Sequence, residues 1–318
     1  MSELPPIPNP LTSARVIQID VPFDVYSAQK VPRGHPAYVM GRSDLSDFDR
    51  CPHKWKSGVV EPDTRQTEWG SLFEQLVMYP ENWADKYAIC PETYRSDKGE
   101  EKPWTFAAKV CQQWRDQQAG KTVIKASVFT EAKKAALSLF AQPQMEQLVA
   151  HSAKQVFVMG EYTDSATSII IPLKGLIDFV PDRKDEDFGQ CLVDLKTASD
   201  AHADVWRREV TKWRLHWQAA LYMDLWAKAT GEDRVDFRHA ICESEPPYEC
   251  AKRILSQDFL TLGRLQYKAA LARYAMVLKM QEQNGPDWPW PGYDTAEHGL
   301  VYDGWLITEP DAWAVKNA

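Results

Sequence analysis

The sequence has no run of about 18 consecutive apolar residues and does not open with a charged stretch followed by an apolar one. Neither a membrane span nor a secretory signal is expected, and the chain reads as cytoplasmic. It also lacks an excess of positive charge: 37 Lys and Arg stand against 45 Asp and Glu, for a formal net charge of −8. That excludes a protein that holds nucleic acid by bulk attraction, though not an enzyme with a local basic groove beside an acidic centre. The cysteines, Cys51, Cys90, Cys111, Cys191, Cys242 and Cys250, form no C-x-x-C pair. In a chain of 318 residues they read as reduced thiols. The seven histidines, His53 and His216 among them, show no H-E-x-x-H spacing. With no G-x-S-x-G and no glycine-rich phosphate loop, the common zinc, serine and P-loop chemistries lose ground.

What is present suits a folded chain. The hydrophobic fraction is 44%, and 13 tryptophans supply material for a core. The length fits one α/β domain with extensions. Residues 1–40, proline-rich through Pro10, read as an N-terminal extension, and 41–318 as a single domain with a helical first part and a C-terminal helical extension. Gly285 to Asp294 reads as a loop, and Asp97 to Lys102 as a solvated one.

From Ser43 to about His151 the pattern is mainly helical, with Ser43 and Thr67 as candidate N-caps. Three β-rich runs follow, QVFVMGEY, SIIIPLKGLIDFV and CLVDLK, separated by DSAT and DRKDEDFG, which predicts an antiparallel meander. A long helix is expected from about Ala203 to Ala229, then a strand from Val235 to Cys242, an apolar stretch from Ala251 to Leu255, and a helix from Gln257 to about Gln283. The expected class is α/β, with a central mixed sheet flanked by helices.

The chemistry concentrates in the meander. Strand alternation puts Asp194 and Lys196 of VDLK on one face, while Val193 and Leu195 take the other. In GLIDFV, Asp178 sits among Leu176, Ile177, Phe179 and Val180, where an ionised carboxylate is costly without a cation or donor. Two acids and a lysine suit phosphodiester hydrolysis: carboxylates hold Mg²⁺ or Mn²⁺, and a lysine stabilises developing charge. A D-x-K tripeptide alone is far more often a surface ion pair. Context comes from Gln218 and Tyr222, four apart on one helix face, and from Gly70 and Glu74 in WGSLFEQLV. Glu74 is equally a solvent-facing glutamate by its residue type.

Taken together, G-x-x-D, D-L-K and Q-x-x-x-Y, preceded by GRSDLSDFDRCPHKW and WGSLFE, resemble the RecB-like and RecE-like branch of the PD-(D/E)xK nucleases, over roughly Gly41 to Trp226. The resemblance implies a restriction-endonuclease-like core. It makes Asp178 and Asp194 metal ligands, Lys196 the catalytic lysine, and Gln218 and Tyr222 the motif of the following helix, with Gln218 steadying the lysine or the DNA backbone. Glu74, where many relatives carry histidine, would be a further ligand or a partner of metal-bound water. Some relatives hold an iron–sulfur cluster, but Cys51, Cys242 and Cys250 lack the spacing, so none is expected. Candidate DNA contacts are Arg42, Ser43, Arg207, Arg208, Lys212 and Arg214, although RREVTKWR also fits a solvated helix face. Trp213 and Trp217 could stack on bases, with core packing the expected role for both.

The implied activity is a Mg²⁺-dependent exonuclease digesting linear double-stranded DNA 5′ to 3′. It would leave 3′ single strands for an annealing protein in phage recombination, as a ring-like homo-oligomer. Two other readings remain open: an endonuclease or repair and defence nuclease of other polarity, and a non-catalytic DNA-binding scaffold.

Overall fold

The computed structural model describes residues 7–58, 65–118 and 120–293, with the backbone at 301–302 and 305–306. Six strands form one sheet in sequence order: β1 (Ser13–Gln18), β2 (Ser152–Thr163), β3 (Ile170–Pro181), β4 (Cys191–Ala198), β5 (Asp236–Glu243) and β6 (Cys250–Ile254). All neighbours run antiparallel except β4 and β5, which are parallel. A parallel step needs a long crossover, and two helices between β4 and β5 supply it. The sheet is mixed and helices cover both faces, as the class predicted.

The principal helices are α1 (Phe23–Ser27), α2 (Arg42–Arg50), α3 (Arg65–Met78), α4 (Ala126–Phe140), α5 (Ala203–Lys212), α6 (Leu215–Thr230) and α7 (Gln257–Asn284). Two cores result. On one face Phe48, Trp206, Leu221, Leu225, Tyr267 and Tyr274 of α2 and α5 to α7 pack against Ile171, Leu173, Leu192 and Phe237. On the other, Leu72, Phe73, Ala132 and Leu139 of α3 and α4 pack against Phe179, Val193 and Leu195. Two glycines permit close approaches. A Cβ on Gly175 would stand 2.9 Å from the Tyr222 ring, and one on Gly263 of α7 would stand 2.1 Å from the carbonyl oxygen of His216 in α6.

Several expectations change. Part of the stretch expected as an extension is β1, which pairs with β2 from Ser13↔Glu161 onward. The single helix over Ala203–Ala229 is two. The break falls at Trp213 and Arg214, and Arg214 takes left-handed angles of φ 53 and ψ 38. That conformation costs a non-glycine about 1–2 kcal/mol. It is held by an Arg214–Asp49 ion pair at 2.7 Å and an Arg214 hydrogen bond to the Ser46 carbonyl at 3.1 Å. Neither proposed N-cap serves: Gly41 caps α2, so Ser43 lies inside it, and Thr67 lies inside α3. The solvated loop holds for residues 97–100, the exposed turn of a hairpin pairing Thr93–Arg95 with Glu101–Pro103, while Glu101 and Lys102 belong to its second strand. Trp217 is buried as expected, whereas Trp213 is 56% exposed. Asp294 and most residues C-terminal to it lie outside the described residues, as do residues 1–6. Among the described residues, no helix is long and apolar enough to cross a membrane.

Candidate active site

The site forms where two strands part. β3 and β4 pair at Phe179↔Val193 alone, and the Asp178 side chain enters the opened seam, where its Oδ2 accepts the Leu195 N–H at 2.8 Å. The ladder gives up backbone pairing here, and a carboxylate satisfies the freed amide. On β4 the predicted alternation holds: Leu195 joins the core of α3 and α4, while Asp194 and Lys196 take the opposite face. Gly70 lets α3 approach β4, since a Cβ there would already stand 3.3 Å from Thr197 Oγ1. That approach carries Glu74 to the same place. From the other side, Met40 bridges to Leu173 and sets the first turn of α2, with Arg42 and Ser43, beside β3.

The result is a cavity of about 290 Å³ lined by Glu74, Asp178, Asp194 and Lys196, with Gln218 and Tyr222 of α6 and Arg42 and Ser43 of α2. Asp194 is 1% exposed. Its Oδ1 accepts from Gln218 Nε2 at 2.7 Å, and its Oδ2 pairs with Lys196 Nζ at 2.5 Å. Gln218 thus steadies the aspartate rather than the lysine, and its Oε1 in turn accepts from Arg42 at 3.4 Å. Glu74 Oε1 accepts from Gln155 Nε2 at 2.8 Å. Arg207, Arg208, Lys212 and Arg214 do not line this cavity. Arg207 and Lys212 form pairs along α5 with Asp204 and Glu209, at 3.4 and 3.2 Å, and Arg208 is exposed.

Burial sets the electrostatics. Asp178 is raised well above the usual carboxylate range, first by desolvation and then by the negative charges of Asp194 and Glu74. Glu74 is raised too, chiefly by burial, with the Gln155 hydrogen bond and Lys196 opposing. For Lys196, burial pulls downward, but the charges of Asp194 and Asp178 outweigh it, and the net shift is upward. The lysine therefore stays a cation at neutral pH. Tyr222 is raised by burial and stays a neutral phenol.

Four residues here were not anticipated. Tyr26 of α1 lines the cavity, and Lys174 of β3 donates to its carbonyl at 2.6 Å. Lys174 is on the same strand as Asp178 and four residues away, so strand alternation could have placed it on the same face. Gln155 holds Glu74 from a positive φ of 44° and left no sequence signal. His239 of β5 lies opposite Asp194 in the register, with its Nε2 4.0 Å from Asp194 Oδ2. Burial lowers it to about 4, which leaves it neutral.

The Gln218 contact can be tested by stability alone. Gln218→Leu keeps the volume but strips the buried Asp194 Oδ1 of its donor, an expected loss of about 1–3 kcal/mol in urea unfolding. A change below about 0.5 kcal/mol, the range of ordinary surface substitutions, would show that Asp194 does not depend on this contact.

An acid in an opened sheet seam, with D-x-K on the adjoining strand and Q-x-x-x-Y on the helix behind it, is the arrangement that the resemblance to the PD-(D/E)xK class of nuclease folds implied. Within that class, the chain belongs to the family of PDDEXK-like domains of unknown function, DUF3799, whose model matches residues 42–287. The crystal structure of a proposed exonuclease from Eubacterium rectale is similar over 88% of this chain and 93% of that one, at 16% identity and a TM-score of 0.50, which bears on the fold alone. Rai1 of Scheffersomyces stipitis aligns over 86% of this chain and 78% of its own at 11% identity, with a TM-score of 0.30. No curated protein sequence matches the chain.

Proposed function

We propose that the protein is a divalent-metal-dependent deoxyribonuclease. The observation that carries this reading is the meeting of Asp178, Asp194, Glu74 and Lys196 in one cavity. Their chemistry fits a hard cation: they offer carboxylate oxygens, crowded and partly buried, and an added positive charge would bring down the raised pKa values of Glu74 and Asp178. Among the described residues no three acidic, histidine or cysteine side chains are grouped so that they could hold a metal ion by themselves. Mg²⁺ keeps several of its waters and needs only one or two carboxylates from the protein, and Mn²⁺ is the alternative. Asp178 and Asp194 would hold the ion with Glu74 beside them, and the ion would activate water and offset charge on the phosphate.

The chain's own groups account for the rest. Gln218 fixes the orientation of Asp194. Lys196, kept cationic by its acidic neighbours, can donate to a phosphate oxygen as negative charge builds there. Arg42, held by Gln218 and by the Trp213 carbonyl, presents a second cation to the backbone. The fuller proposal is 5′-to-3′ digestion of linear duplex DNA leaving 3′ tails for an annealing protein, by a homo-oligomer. Its support is the resemblance of the motifs to those of the RecE-like nucleases.

Linear duplex DNA labelled at either its 5′ or its 3′ end, alongside closed circles, tests this with Mg²⁺ or EDTA. The expected result is Mg²⁺-dependent release of the 5′ label in short products with circles intact. Cut circles would replace the exonuclease by an endonuclease. No digestion with any divalent ion would refute the enzyme reading.

A further inference from the structure

A second cavity, of about 310 Å³, adjoins the first, and Arg42 and Lys196 line both. Its remaining walls are the segment leaving β4, helix α5 and the break before α6. Three observations bear on what it takes. First, Trp213 at the break is 56% exposed although its neighbour Trp217 is in the core. The ring is not loose: Lys212 Nζ lies 4.7 Å from its centroid, and Glu209 accepts its Nε1–H. A fixed indole facing solvent is a surface on which a planar group can stack.

Second, Trp206 is 5% exposed and lines the same cavity, and its Nε1–H has no hydrogen-bond partner among the described residues. Such a donor is unfavourable until an acceptor is supplied. Third, the polar lining has both signs. Arg42 and Lys196 stand at the shared edge, with Asp200 and Glu209 beyond. Carboxylates repel a phosphate but accept hydrogen bonds from the amino and imino groups of a base. The phosphate therefore belongs at the edge and the base beyond it.

We propose that this cavity is a nucleoside subsite. It receives the base and sugar of the nucleotide adjoining the scissile phosphate, with Trp213 as the stacking platform and Trp206 Nε1 as donor to an acceptor on the base or sugar. The inference rests on the deoxyribonuclease reading and adds the part of the substrate that is recognised without reading sequence.

The test moves a single abasic residue, which keeps the phosphate and removes the base, through the positions around the cleaved bond. At one position the wild-type kcat/KM should fall about ten-fold, within the range one stacked base supplies. Trp213→Ala should be about ten-fold weaker on intact DNA and show no further loss at that position, while Trp213→Phe recovers most of the rate. A readout free of cleavage is the anisotropy of a fluorescein-labelled oligothymidylate in EDTA at fixed salt, where Trp213→Ala should raise Kd about ten-fold. If Trp213→Ala keeps the wild-type sensitivity to the abasic residue and the wild-type Kd, the subsite is overturned. If the wild type cuts nothing yet Kd depends on Trp213, the nuclease reading fails and the subsite stands.

Discussion

Asp178→Asn is expected to abolish DNA cleavage, by about 10³-fold or more in kcat, and at the same time to raise the melting temperature of the metal-free protein. The first effect follows from loss of a charged oxygen donor at the centre of the cavity. The second follows from burial. The folded protein raises Asp178 well above the unfolded value by desolvation and by the charges of Asp194 and Glu74. The unfolded chain therefore gives up this proton first, so the contribution of Asp178 to native stability is greatest below about pH 4 and declines as pH rises toward the folded value. Asparagine is neutral throughout and its Oδ1 can still accept the Leu195 N–H, so the seam is kept and the decline is removed. The gain should be about 2–4 °C for each kcal/mol of repulsion relieved. Differential scanning fluorimetry in EDTA from pH 4 to 8, with and without added Mg²⁺, measures it. Wild type should gain stability from Mg²⁺ and the variant should gain little, since only a ligand of the native state stabilises by mass action. An active variant, or one that melts lower at every pH, would remove Asp178 from the centre.

Gly263→Ala is expected to be the most damaging alanine substitution among the described glycines. The added carbon would lie 2.1 Å from the carbonyl oxygen and 2.7 Å from the carbonyl carbon of His216. Those are backbone atoms in the first turn of α6, so no rotamer change relieves the clash, and the two helices must separate. Overpacking of this kind costs about 3 kcal/mol at the upper end of the usual range. Because α6 carries Gln218 and Tyr222, cleavage should fall along with stability, unlike Asp178→Asn, where the two move apart. Urea unfolding with a midpoint unchanged from wild type would show that α6 and α7 do not pack as described.

Much of the site could be read from local pattern. Asp194 and Lys196 are two apart on a strand, and Gln218 and Tyr222 four apart on a helix. Both spacings fix a shared face before any tertiary structure is known. Asp178 stood out because an acid in an apolar strand needs a reason. The unread parts depend on contacts across the chain. Gln155 meets Glu74 from 81 residues away, and at Tyr26, which lines the cavity, Lys174, 148 residues on, holds the carbonyl. The helix break escaped notice because EVTKWRLHWQ contains neither glycine nor proline, and the left-handed turn at Arg214 is imposed by Asp49 and Ser46. SARVIQ was not read as a strand because most of its residues are exposed, so it carries little hydrophobic alternation.

That first strand bears on where the working unit begins. The family match starts at Arg42, yet β1 lies before it and covers part of β2. An uncovered strand edge offers a row of unpaired amides and carbonyls to any other extended chain. A protein trimmed to the family boundary would keep its three acids and its lysine while exposing a surface that invites self-association into insoluble material. For this chain, sequence similarity therefore marks the limits of what the family shares, and the limits of the folded sheet lie further toward the N-terminus.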